Sequence, residues 1–185
     1  MKRLFLYAPL LLLTQCSKCK DGPQPKNPED ALPPATQEGK NTLGCLINGQ
    51  PWTPKGHRGS VPNFYVWYDP SYAGGAIDIR TYRYPKSGDS RSQYIAFGGG
   101  GVAQAGTYLI GDNGLQAYIS DEFKAQGCQD VQSDDPWSTV YCRGQLLITR
   151  LDVAAGVVSG TFGFVLAKPG CDTIKVTQGR FDRKL

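Results

Sequence analysis

The chain holds one histidine, His57, and one methionine, the initiator, in 185 residues. A lone imidazole excludes mechanisms that need two, His-rich zinc sites among them. Long apolar runs are also missing: the longest, Leu4 to Leu13, has ten residues, whereas a membrane-spanning helix needs about 20. Charge is sparse at 19%, and 20 Lys plus Arg against 16 Asp plus Glu leave a formal +4, too little to argue for nucleic acid. No stretch keeps a 3.6-residue apolar period for a dozen residues, which argues against a helical bundle.

What is present is turn-forming and aromatic: Gly 23, Pro 13 and 11% aromatic residues, with 40% hydrophobic residues to supply a core. That profile suits a turn-rich all-β domain. Period-two alternation marks strands at Leu43 to Asn48, Phe64 to Tyr68, Ala76 to Tyr84, Gln93 to Phe97 and Leu115 to Phe123. Three more run at Gly144 to Asp152, Val157 to Ala167 and Ile174 to Asp182, joined by short turns. The expectation is an antiparallel meander of about eight or nine strands, forming a sandwich or partly open barrel.

The N-terminus reads as an address. Lys2 and Arg3 precede the short apolar run, the pattern of a secretory signal peptide over residues 1–15. Its end, Leu13-Thr14-Gln15-Cys16, resembles the lipobox of bacterial lipoproteins, with Gln15 where Gly or Ala is usual. That resemblance implies acylation of Cys16 and a protein anchored to a membrane through lipid. Removing residues 1–15 takes away Lys2 and Arg3 and no acid, so the mature charge is +2. Residues 16–42 carry five prolines and almost no large apolar side chain, and read as a flexible stalk. Residues 43–185 form a single β-domain.

Export favours disulfides over free thiols. Cys45, Cys128, Cys142 and Cys171 allow three connectivities. Cys45–Cys171 would tie the first strand to the last hairpin, and Cys128–Cys142 would close the polar loop between them. No Cys-x-x-Cys pair occurs among these four, so no metal site is expected, and no cofactor.

Gly44-Cys45-Leu46-Ile47-Asn48-Gly49-Gln50-Pro51-Trp52-Thr53-Pro54 is similar to the opening of a family of small bacterial lipoprotein domains of unknown function. The stretches Ile148 to Asp152, Val158 to Phe164 and Gly179 to Asp182 resemble its closing part, while the middle matches only in strand rhythm. The resemblance implies a lipid-anchored β-domain in a Gram-negative envelope, expected at the outer membrane. It carries no catalytic residues.

Little in the sequence points to catalysis. Gly98 to Gly101 follows a strand but precedes no helix, so a phosphate loop is not supported and a hairpin loop or bulge is expected. No Gly-x-Ser-x-Gly elbow surrounds a serine near His57, and no carboxylate spacing marks an acid/base pair. Asp112, Asp130, Asp134 and Asp135 offer hard oxygen ligands without EF-hand spacing, and read as turns and a solvated loop. Aromatics on both faces of Phe64 to Tyr68 leave some rings facing outward. Tyr65, Trp67, Arg80 and Tyr82 are therefore the candidate ligand-binding residues, and Arg80, Arg83, Lys86 and Arg91 a modest basic patch beside them. The functional expectation is a non-catalytic binding domain whose partner is a glycan, a peptide or an envelope protein. Its alternatives are an assembly accessory of an outer-membrane complex, or a hydrolase. A binding domain requires outward aromatics around a concavity, and an assembly accessory a flat apolar patch.

Overall fold

The computed structural model describes residues 27–86, 88–111, 114–133 and 139–185; Cys16, Asp112, Asp134 and Asp135 lie outside them. Among the described residues a 3-10 turn, Pro28–Ala31, precedes eleven strands. These are β1 (Thr42–Ile47), β2 (Gln50–Trp52), β3 (Phe64–Asp69), β4 (Ala76–Arg83), β5 (Gln93–Gly99) and β6 (Gly106–Ile110). There follow β7 (Gln116–Asp121), β8 (Asp130–Gln132), β9 (Tyr141–Asp152), β10 (Val157–Ala167) and β11 (Ile174–Lys184).

They form two antiparallel sheets, ordered β2-β1-β11-β10-β9-β6 and β3-β4-β5-β7-β8, packed as an open sandwich rather than a closed barrel. The three strands beyond those legible from alternation are β2 and β8, each only three residues, and β6, bracketed by Gly106 and Gly111. Asn48 and Gly49 both have positive φ, 49° and 80°, which makes the two-residue turn joining β1 to β2.

The core lies between the sheets. Phe97 on β5 meets Phe162 and Phe164 on β10 at ring-centroid distances of 4.4 and 5.9 Å, and Ile77, Ile79, Ile95, Leu146, Val158 and Leu166 are almost wholly buried around them. Each such side chain contributes about 1.5–3 kcal/mol of transfer free energy.

The expected disulfides are not the ones formed. Cys128 bonds Cys171, with Cα atoms 5.6 Å apart, while Cys45 and Cys142 are buried thiols. Neither expected pair forms because Cys45 on β1 and Cys142 on β9 both point into the core, away from the surface turn and loop where Cys171 and Cys128 meet; the two buried thiols are also three strand spacings, at least about 14 Å, from each other. Cys171 instead sits in the β10–β11 turn, where the β7–β8 loop reaches it. The bridge thus joins the two sheets, beside a Lys124–Asp172 ion pair of 3.3 Å and a hydrogen bond from Lys168 Nζ to the Gly127 carbonyl at 2.6 Å. Burial pushes the Cys45 thiol up to about 12, with the Arg83 guanidinium a smaller opposing influence, so it stays protonated and inert.

The described part of the expected stalk is not free either. Residues 27–41 lie as a strap across the outer face of the six-stranded sheet. Leu32 is buried, and Pro33 lies so close over Gly44 that a Cβ there would meet Pro33 Cδ at 2.6 Å. The strap is clasped by Asp182 on β11. Its carboxylate accepts hydrogen bonds from Thr36 Oγ1 (2.6 Å) and from the backbone amides of Glu38 (2.9 Å), Gly39 (2.8 Å) and Lys40 (3.0 Å). Ser159 Oγ on β10 donates a fifth at 2.6 Å. Burial opposes ionisation of Asp182, but these donors outweigh it and hold the carboxyl well below the usual carboxylate range.

Candidate functional site

The outer face of the five-stranded sheet can be read from its register. One row runs Trp67, Asp78, Gly98, Gln116 across β3, β4, β5 and β7. The next runs Tyr65, Arg80, Ala96, Tyr118, Gln132 and ends on β8. Each is an outward position on a strand whose alternate residues fill the core. In these two rows β5 contributes only a glycine and an alanine, its third outward residue, Tyr94, standing in the row beyond. Between larger neighbours they leave a trough of about 510 Å3, with Ala96 and Gly98 as its floor.

Trp67 and Tyr72 wall one side, and Gln116, Tyr118 and Gln132 the other. Trp67 is 42% exposed and Tyr72 65%, although both are large aromatics. On the floor's β4 side Arg80 forms an ion pair with Asp78, and that hydrogen bond raises the Arg80 pKa further. Tyr118 donates to Asp130 Oδ1 at 2.6 Å; burial, then this bond, pushes its phenol up from its ordinary value, so it remains a neutral hydroxyl. Ser133 Oγ donates to Gln116 Oε1 at 2.8 Å and fixes that amide.

Two loops bonded to each other close one end. The Gly101 amide donates to the Ala73 carbonyl at 2.9 Å and the Val102 amide to the Gly75 carbonyl at 2.8 Å. Gly75, at φ 93°, comes so close that a Cβ would sit 2.2 Å from the Val102 carbonyl oxygen. Tyr68 Oη donates to that same carbonyl at 3.0 Å. The glycine run ends β5 and supplies these close backbone approaches.

Of the four sequence candidates, Trp67 and Arg80 line the trough, and Tyr65 stands exposed beside Arg80 in the same row. Tyr82 does not belong to it. Its side chain is buried beneath the β2–β3 loop, where its hydroxyl donates to the Val61 carbonyl at 2.7 Å and accepts from the Arg58 amide at 3.0 Å. The basic patch also dissolves. Arg83 is half-buried, its Nε donating to Gln93 Oε1 at 2.6 Å and its guanidinium 5.3 Å from the Trp52 ring centre. Arg91 is paired with Asp89 at 2.8 Å and lies 4.4 Å over Phe123, whose ring Lys86 also approaches at 5.4 Å.

Tyr72, Asp78, Gln116, Tyr118 and Gln132 complete the site. Alternation along β4 places Asp78 beside Arg80, but only the β5–β7 pairing brings Tyr118 opposite Ala96. His57 is exposed in a separate depression with Lys55, Tyr84 and Asp89. Among the described residues no three His, Cys, Asp or Glu side chains are grouped to hold a metal. The trough thus offers aromatic planes, a neutralised ion pair and one fixed amide, a set suited to binding.

No family model matches the chain, and no curated protein or solved structure matches it significantly.

Proposed function

We propose that this chain is a lipid-anchored envelope protein whose β-sandwich binds a ligand, without catalysis, in the trough between Trp67 and Tyr118. One observation carries the reading: large aromatics stand exposed around a concavity whose floor is reduced to Ala96 and Gly98. Exposed rings of this size remain available for a ligand because the strand's other face already fills the core.

The anchor rests on the leader and on Cys16. Cells given labelled palmitate should mark the wild-type chain and leave Cys16→Ser unmarked; equal labelling of the two would remove the anchor from the proposal. A thermal-shift screen of the whole chain tests the binding half. A ligand at about 100 times its dissociation constant adds about 2.7 kcal/mol of stability. A raised midpoint that disappears in Trp67→Ala, with the fold intact, is the expected outcome. Docking in an envelope assembly is the second reading, favoured by the exposed Leu109, Tyr141 and Leu147 on the outer face of the other sheet.

A further inference from the structure

We infer that the occupant of the trough is an uncharged oligosaccharide, an inference that rests on the trough being the ligand site. Charge is the first argument. Among the described residues, Asp78 and Arg80 are the formally charged side chains lining it, and they are bonded to each other. The neighbouring cations are held elsewhere, Arg83 by Gln93, Arg91 by Asp89 and Lys86 at the Phe123 ring. An anionic ligand would have to draw Arg80 away from its carboxylate and leave Asp78 facing like charge.

Donor chemistry is the second. A guanidinium has five N–H donors and a carboxylate about four acceptor positions, so their pairing leaves both with capacity to spare. Donor and acceptor then stand side by side on one strand, two residues apart, with the Gln116 amide across the Gly98 floor. Adjacent hydroxyls of a sugar ring, each both donor and acceptor, match such a pair. The flat faces of Trp67 and Tyr72 suit the apolar C–H face of the same ring.

Backbone availability is the third. An extended peptide is captured by an unpaired strand edge, through main-chain hydrogen bonds. Here the floor is β5, a central strand paired with β4 on one side and β7 on the other. It has no free main-chain ladder to offer, so recognition falls to side chains, which sugars use and extended peptides do not require.

The test is calorimetric titration of the whole chain, held in a zwitterionic detergent that carries no sugar headgroup. The probes are cellotriose, maltotriose, mannotriose and the N-acetylglucosamine trimer as neutral chains, trigalacturonate as the anionic one, and a mixed hexapeptide pool. At least one neutral trisaccharide is expected to bind, roughly tenfold more weakly to Trp67→Ala and to Asp78→Asn, with unfolding midpoints checked for both variants. That binding should also be nearly unchanged between low salt and about 0.5 M salt, since no net charge is engaged. Binding of trigalacturonate alone, or of peptide alone, lost in Trp67→Ala, would overturn the uncharged-sugar inference and leave the trough as the site. Silence toward every probe, or binding indifferent to Trp67→Ala, would overturn both.

Discussion

Asp182 and Thr36 are separated by 146 positions in the chain and joined by a 2.6 Å hydrogen bond, the first of four by which one carboxylate holds the strap. Three of those donors are the successive backbone amides of Glu38, Gly39 and Lys40, which converge on the one carboxylate and favour its charged form.

Asp182→Asn should therefore cost about 2–4 kcal/mol and free the strap, seen as a lower thermal midpoint and faster amide exchange at residues 38–40. The pH dependence follows from the sign of the shift. A carboxyl held below its ordinary pKa stabilises fully above that value, about 4, and loses its contribution as pH falls further. The gap between wild type and Asp182→Asn should be wide at neutral pH and close in strong acid; a gap independent of pH would contradict the assignment.

Replacing Cys128 and Cys171 by alanine should cost about 4 kcal/mol, because their bridge closes a loop with a sequence separation of 43. Mass mapping of the oxidised protein should recover a single cross-linked peptide pair from the domain, Cys128 with Cys171. Cys45, protonated and shielded, should alkylate only on unfolding.

Tyr82→Phe and Trp67→Ala separate the strut from the site. Tyr82→Phe removes two hydrogen bonds to the β2–β3 loop and should lower stability by about 1–2 kcal/mol while leaving ligand affinity alone. Trp67→Ala should do the reverse, changing stability by no more than about 1 kcal/mol. Paired melts and titrations of the two variants decide it.

Phe162→Ala should be the most damaging of these substitutions, at about 3–5 kcal/mol, since Phe97, Phe164 and Phe181 all surround that ring. Chemical denaturation with an unchanged slope would show that the loss is one of stability and not of compactness.

Much of this architecture is written in the chain. Alternation from Ala76 to Arg83 assigns Asp78 and Arg80 to one face, and the Asn48-Gly49 dipeptide dictates its turn. The same parity also puts Tyr82 on that face and cannot see the loop that buries it. The cysteine pairing depends on sheet order, which spacing along the chain does not encode. Residues 27–41 have one large apolar side chain, Leu32, and so read as part of a stalk. They are held largely by polar contacts to one buried carboxylate, a stabilisation that a composition argument does not count. Tyr118 joins Trp67 across three strands, through registers that no local pattern specifies.

The strap lies against one sheet and the trough opens on the other, so the two are on opposite sides of the sandwich. A chain moored at Cys16 would have eleven Cα steps of line before Asn27, about 40 Å at full stretch. That line would enter the domain at the strap, on the outer face of the six-stranded sheet. The aromatic face lies on the side away from that mooring, so a long polymer could lie along it without meeting the line.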